Sequence, residues 1–188
     1  SDLRLGLPIV LYDGQQYVLA AAIETLYSEK LKRINKITNH QKFEIAITNR
    51  RAEVLKATIY NPTVTRISVK EEIDIQLLHA IADPSKDLDY PLKGPFHSER
   101  YGNFNIASVS LSLCKKARLL PASILIDIPP SIIMNIASPD CVQKAHSGYA
   151  PDVNSVIMIP PTLATMEAIT KHINLTLKTL IPKNSALS

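Results

Sequence analysis

Residues 121–128 read Pro121-Ala122-Ser123-Ile124-Leu125-Ile126-Asp127-Ile128. The run is almost wholly apolar and too short for a stable helix, which predicts a strand covered on both faces. Its single charge is Asp127, near the carboxyl end. Immediately upstream, residues 108–118 repeat apolar side chains at helical spacing, predicting a helix with Val109, Leu113 and Ala117 turned inward. A helix delivered onto a buried strand is the unit of a sheet covered by helices, and the rest of the chain repeats it.

Working toward the N-terminus, residues 8–12 (PIVLY) and 17–22 (YVLAAA) read as two strands joined by a turn at Asp13-Gly14. Ser28 is placed to cap a helix with Leu31, Ile34 and Ile37 as its apolar stripe and its lysines in water. Residues 43–48 (FEIAIT) alternate like a half-buried strand, and Asn49 opens a short helix. Ser68-x-x-Glu71 has the form of a capping box, predicting a helix through Ile73, Leu77 and Ile81 that Asp83-Pro84 ends. A polar loop then runs from Asp83 to about Asn105. Beyond the quoted strand, residues 129–154 are rich in Pro, Ser and Asn and read as an insertion or irregular excursion. Residues 156–159, a helix over 162–171 and a strand over 175–180 complete the alternation. The expected class is α/β or mixed α+β: one domain over 1–188, a mixed sheet covered by helices.

Composition narrows the functions available. A chain of 188 residues with 46% hydrophobic and 20% charged side chains has enough apolar material for one core. No run of 18 apolar residues occurs, so no membrane span is expected, and no leader-like segment opens the sequence. Five glycines form neither a dinucleotide fingerprint nor a phosphate-binding loop. Cys114 and Cys141 fit no disulfide framework or zinc spacing and are expected to be ordinary thiols of a cytoplasmic protein. The net charge of +4 and pI near 9.0 come from small basic groups, such as Lys115, Lys116 and Arg118. No aromatic residues interleave with them, which argues against nucleic acid.

Few residues offer chemistry. The five histidines, His40, His79, His97, His146 and His172, show no metal-ligand spacing, so no metal site is expected. His97-Ser98-Glu99-Arg100 gathers polar side chains in one loop and is the candidate substrate-binding segment. Asp127, a lone carboxylate at the end of a buried strand, sits where sheets of this kind hold ligands. A structural role is the other reading: Asp127 bonded to loop amides near residues 129–131, or paired with Arg100.

In that order the elements resemble the 3,4-dihydroxy-2-butanone-4-phosphate synthase family of riboflavin biosynthesis. Leu3-Arg4-x-Gly6-x-Pro8-Ile9-Val10-Leu11-x-Asp13 is similar to the family's first strand, just before its acidic loop. Ile67-Ser68 through Ile81-Ala82-Asp83-Pro84 resembles its I-S-A-x-D-R helix and following A-I-A-D-P, and 112–128 its late helix and A-G-V-L-C-E strand. Residues 156–180 follow its closing strand, helix and strand. The resemblance covers most of the chain except 129–154.

What the resemblance implies is a scaffold stripped of its chemistry. The family's acidic loop, which binds magnesium, is reduced to Asp13 followed by Gly14-Gln15-Gln16-Tyr17. Its H-T-E motif falls near Asn105-Ile106-Ala107-Ser108, without a histidine, and its D-R pair appears as Glu71-Glu72, which would set negative charge against a sugar phosphate. Asp13 and Asp127 are the remnant catalytic candidates. The expectation is a homodimeric, non-catalytic domain ahead of a GTP cyclohydrolase II-type domain, with no cofactor. The alternative is a divergent active synthase, for which alone magnesium is expected.

Overall fold

The computed structural model describes residues 3–39, 41–69, 72–91, 94–153 and 155–170. Six strands form one sheet: β1 (Ile9–Tyr12), β2 (Tyr17–Ala22), β3 (Phe43–Ile47), β4 (Thr65–Ser68), β5 (Ala122–Ile128) and β6 (Ile157–Ile159), in the order β4-β3-β5-β2-β1-β6. Every described pairing is antiparallel. The expected single α+β domain is found, with an antiparallel sheet where a mixed one was expected. β5, the quoted strand, lies in the middle, paired with β2 and β3.

The period of two sorts side chains onto two faces. One face carries Val10, Leu19, Ile45, Ile124 and Ile126, all completely buried. It packs against α1 (Ser28–Ile37), α2 (Asn49–Val54), α3 (Ile75–Ala82), α5 (Pro130–Ile136), α6 (Pro139–Gly148) and a seventh helix, α7, over residues 163–170. The other face carries Leu11, Val18, Ala20, Ala22, Ala46 and Leu125 and has one helix over it, α4 (Phe104–Lys116). The alanines let α4 lie close, near enough for the Ser110 hydroxyl to meet that of Ser123 at 2.8 Å. Among the described residues this single helix leaves one end of the face uncovered.

Several expectations are corrected. The capping box is not formed: Ser68 belongs to β4, where it pairs with Glu44, and its N–H donates to the His97 carbonyl. α3 starts at Ile75 with Asp74 as its cap, the Asp74 carboxylate accepting from Gln76 N–H. Glu71 lies outside the described residues. Ser28 is the first residue of α1 rather than its cap, a place taken by Tyr27 without a side-chain bond. Lys30 does not face water: it is buried, and its Nζ donates to the carbonyls of Gly6 at 2.8 Å and Thr25 at 3.2 Å. α4 begins at Phe104, with Asn103 accepting from Ile106 N–H, and its inward face is Ile106, Ser110, Leu111 and Cys114; Val109 and Leu113 are half-buried. Residues 129–154, expected to be irregular, hold α5 and α6. Their prolines stand at helix starts, where a missing N–H costs nothing, and Ser138 caps α6 through Cys141 N–H. Residues 175–180, His40 and His172 lie outside the described residues.

Candidate functional site

The uncovered end of the sheet is a cavity of about 820 Å³. Its floor is Val18 and Leu125 with Glu44, Arg66 and Asp127, supplied by four adjacent strands. The register explains the grouping: Val18 faces Asp127, Leu125 faces Glu44, and Ala46 faces Arg66, all on the α4 side. One wall is the β1–β2 turn, Asp13 to Gln16, and the other runs from Gly102 to the first turn of α4. Lys42 is also part of the lining.

Both walls are tied to the floor. Asp13 Oδ1 accepts from the N–H groups of Gln15 at 3.0 Å and Gln16 at 2.9 Å, an Asx turn, and Oδ2 accepts from Asn103 Nδ2. Gly14 has φ +91°, and its open Cα face lies against the Tyr149 ring, so a side chain there would be strained and obstructed. Behind the turn, the Tyr12, Tyr17 and His146 rings pack against one another, and the Tyr17 hydroxyl is hydrogen-bonded to His146 Nε2. Arg66 holds the second wall: its Nη1 donates to Tyr101 O at 2.7 Å, its guanidinium lies over the Phe104 ring, and it packs against Gly102, whose φ is +111°.

The charges are largely spent within the protein. Arg66 makes a bidentate pair with Glu44, Nε to Oε2 at 2.9 Å and Nη2 to Oε1 at 2.8 Å. Burial raises the Glu44 carboxyl above its ordinary range, Arg66 opposes the rise, and Glu99 and Asp127 add to it. Burial likewise raises Asp127, again opposed by Arg66. Asp127 has no hydrogen-bond partner among the described residues, and it opens into the cavity. It therefore neither binds the 129–131 amides nor pairs with Arg100.

Of the candidate residues, the structure brings Asp13 and Asp127 into one cavity and leaves the loop candidates outside it. His97, Ser98 and Glu99 extend the sheet along the outer edge of β4: Ser98 bridges Ile67, and Glu99 N–H donates to Arg66 O at 2.7 Å. Arg100 lies over the Tyr60 and Tyr101 rings, 5.7 Å from each centroid. Glu72 lies in a separate groove beside α1 and Phe43, on the other face, so it does not repel a ligand of the main cavity. Sequence reading missed Glu44, Arg66 and Asn103. Glu44 carried the same signal as Asp127, one acid in an apolar strand.

Magnesium coordination needs several carboxylate oxygens free to converge. Asp13 has both oxygens engaged by amides, and Glu44 has both on Arg66. Among the described residues no group of three or more His, Cys, Asp or Glu side chains could share an ion. The residues present do not fit the metal. Cys114 and Cys141 are both unpaired, and burial pushes the Cys114 thiol up to about 11. No described helix is long and apolar enough to cross a membrane.

Comparison with solved structures finds a likeness of fold. A solved 3,4-dihydroxy-2-butanone 4-phosphate synthase, in a cation-free form, is similar in structure with a TM-score of 0.49 and 15% identity, over 68% of this chain and 71% of that one. No family model matches the chain, and no curated protein matches it.

Proposed function

We propose that this chain is a synthase-like domain of riboflavin biosynthesis that no longer catalyses, and that it serves a GTP cyclohydrolase II-type protein in assembly or positioning. The support is the order of motifs from Leu3 to Asp127, together with one observation in the cavity. The acids that a metal-dependent rearrangement would need are bonded to the protein's own groups: Asp13 to backbone amides and Asn103, Glu44 to Arg66. Recovering them for an ion would break a bidentate pair and an Asx turn. Loss of the chemistry with retention of the sheet fits a domain kept for its surface, and the proposal includes a homodimer, as the resembled family builds its sites across a two-fold interface.

The test is formate release from ribulose 5-phosphate with magnesium. The expected result is no release above background. Release that Asp127→Asn abolishes would overturn the proposal and favour a divergent active synthase, the reading to which the unengaged Asp127 lends itself. Light scattering checks the assembly: a mass near 20.8 kDa at micromolar concentration would count against the homodimer.

A further inference from the structure

The cavity is open although its strongest cation is already neutralised, and the groups still facing it define what it can hold. Three of the five N–H groups of Arg66 are already given to Glu44 and Tyr101 O, so an anion there meets a cation largely neutralised by a bidentate carboxylate. Lys42 is the other cation in the lining, where Asp13 and Asp127 add two negative charges. A phosphate ester would bring about two further negative charges to this balance. Hydroxyl groups meet the opposite situation. Asp127 is a hydrogen-bond acceptor without a donor among the described residues, exposed to solvent on an apolar floor of Val18 and Leu125. Hydrogen bonds to a charged acceptor are the stronger kind, so a sugar hydroxyl can replace the water that such a carboxylate holds. Gln15 and Gln16 line the same cavity and offer amide donors and acceptors from the facing turn.

We infer that the cavity binds a small neutral polyhydroxylated molecule, a sugar or polyol, whose hydroxyls donate to Asp127 and meet the side-chain amides of Gln15 and Gln16, and that it disfavours the phosphorylated form of the same molecule. The inference deepens the non-catalytic reading and rests on it, since an active site for a sugar phosphate would need a free cation where Arg66 is bound. Specificity of this kind comes from charge rather than size: the volume admits both forms, and only the carboxylates discriminate.

Ribose and ribose 5-phosphate differ only in the phosphate, so they are the probes. The chain, labelled with nitrogen-15, is titrated with each while backbone amide shifts are followed. Saturable shifts at residues 13–18 and 125–128 are expected with ribose, with an affinity about tenfold or more above that of ribose 5-phosphate. Saturation matters because sugars also stabilise proteins by exclusion from the surface, without a site. Asp127→Leu should weaken ribose about tenfold, whereas Asp127→Asn, which keeps an acceptor oxygen, should weaken it less. Equal or tighter binding of ribose 5-phosphate overturns the inference, as does the absence of saturable shifts with ribose. Both results come from the unaltered chain and do not depend on how a variant folds. The formate assay separates the two claims: no formate and no ribose binding defeats this inference alone, and formate release defeats the reading beneath it.

Discussion

The two faces of the sheet are made from the same strands and have opposite chemistry. On the closed face six of the described helices cover the sheet, and its strand residues are apolar except Thr65, whose hydroxyl donates to Asn49 Oδ1. On the open face α4 is the one described helix, over small residues such as Ala20, Ala22 and Ala46, and beside its first turn Glu44, Arg66 and Asp127 stand on the sheet. Charge is costly under a helix layer and tolerable beside a water-filled cavity, so cover and charge exclude each other. A site on this fold is therefore found where the cover stops.

The largest effect should separate the faces directly. Ile45 is completely buried on the closed face, and Ile45→Ala removes three carbons from a site with no room to collapse. A loss of about 3–4 kcal/mol is expected by chemical denaturation. Leu125→Ala on the cavity floor should cost about half as much, since solvent already reaches the space it vacates. Equal losses would break the contrast between a packed face and an open one.

Next in size is the ion pair. Arg66→Ala strands Glu44 in a partly buried place and frees Tyr101 O, and a loss of about 2–3 kcal/mol is expected. Arg66→Met with Glu44→Leu removes both charges and should recover most of it. If the double variant is no better than Arg66→Ala, the pair is not what holds the second wall. Gly14→Ala tests the first wall. The φ of +91° and the Tyr149 ring behind the Cα predict a cost of about 1–3 kcal/mol, read as a fall in melting temperature. Trimming the ring in Tyr149→Ala should relieve part of that cost.

The strands were legible because period-two alternation and apolar runs survive without knowledge of neighbours: 8–12, 17–22, 43–48 and 121–128 all contain strands of the sheet. Helix starts were less legible, because a cap competes with other bonds. Ser68 carries a cap's chemistry, yet its backbone is taken by the β3–β4 ladder and by His97 O, and Asp74 caps α3 instead. Lys30 was misread because periodicity says which face a side chain leaves from, not that Gly6 O and Thr25 O wait to receive its ammonium. In the site, Asp127 could be named from one charge in an apolar run, and Asp13 from the family resemblance of the segment that precedes it. Their partners could not. Arg66 meets Glu44 across a pairing whose register the sequence does not state, and Asn103 reaches Asp13 from ninety positions away.

The smallest expected effect turns on a sign. A structural role for Asp127, with its carboxylate bonded to loop amides, requires that replacing it lower the stability. The structure reverses this. Burial holds its carboxyl above the ordinary range and Arg66 only partly offsets that, so the folded chain retains the proton at pH values where the unfolded chain has lost it. Stability is then highest below the unfolded value and falls as pH rises through the folded one, because the native state binds more protons across that interval. At neutral pH the ionised Asp127 costs stability. Asp127→Asn keeps the shape and removes the charge, so it should raise the melting temperature slightly at pH 7. The gain should shrink on acidification and vanish once Asp127 is protonated in both states. Glu44 is raised as well, in part by Asp127, so the difference between variant and parent at each pH carries Asp127 together with the relief it gives Glu44. A melting temperature that falls in Asp127→Asn at pH 7, with the loss shrinking in acid, would mean that the carboxylate has a donor. The open face would then be closed by a hydrogen bond rather than left to a ligand.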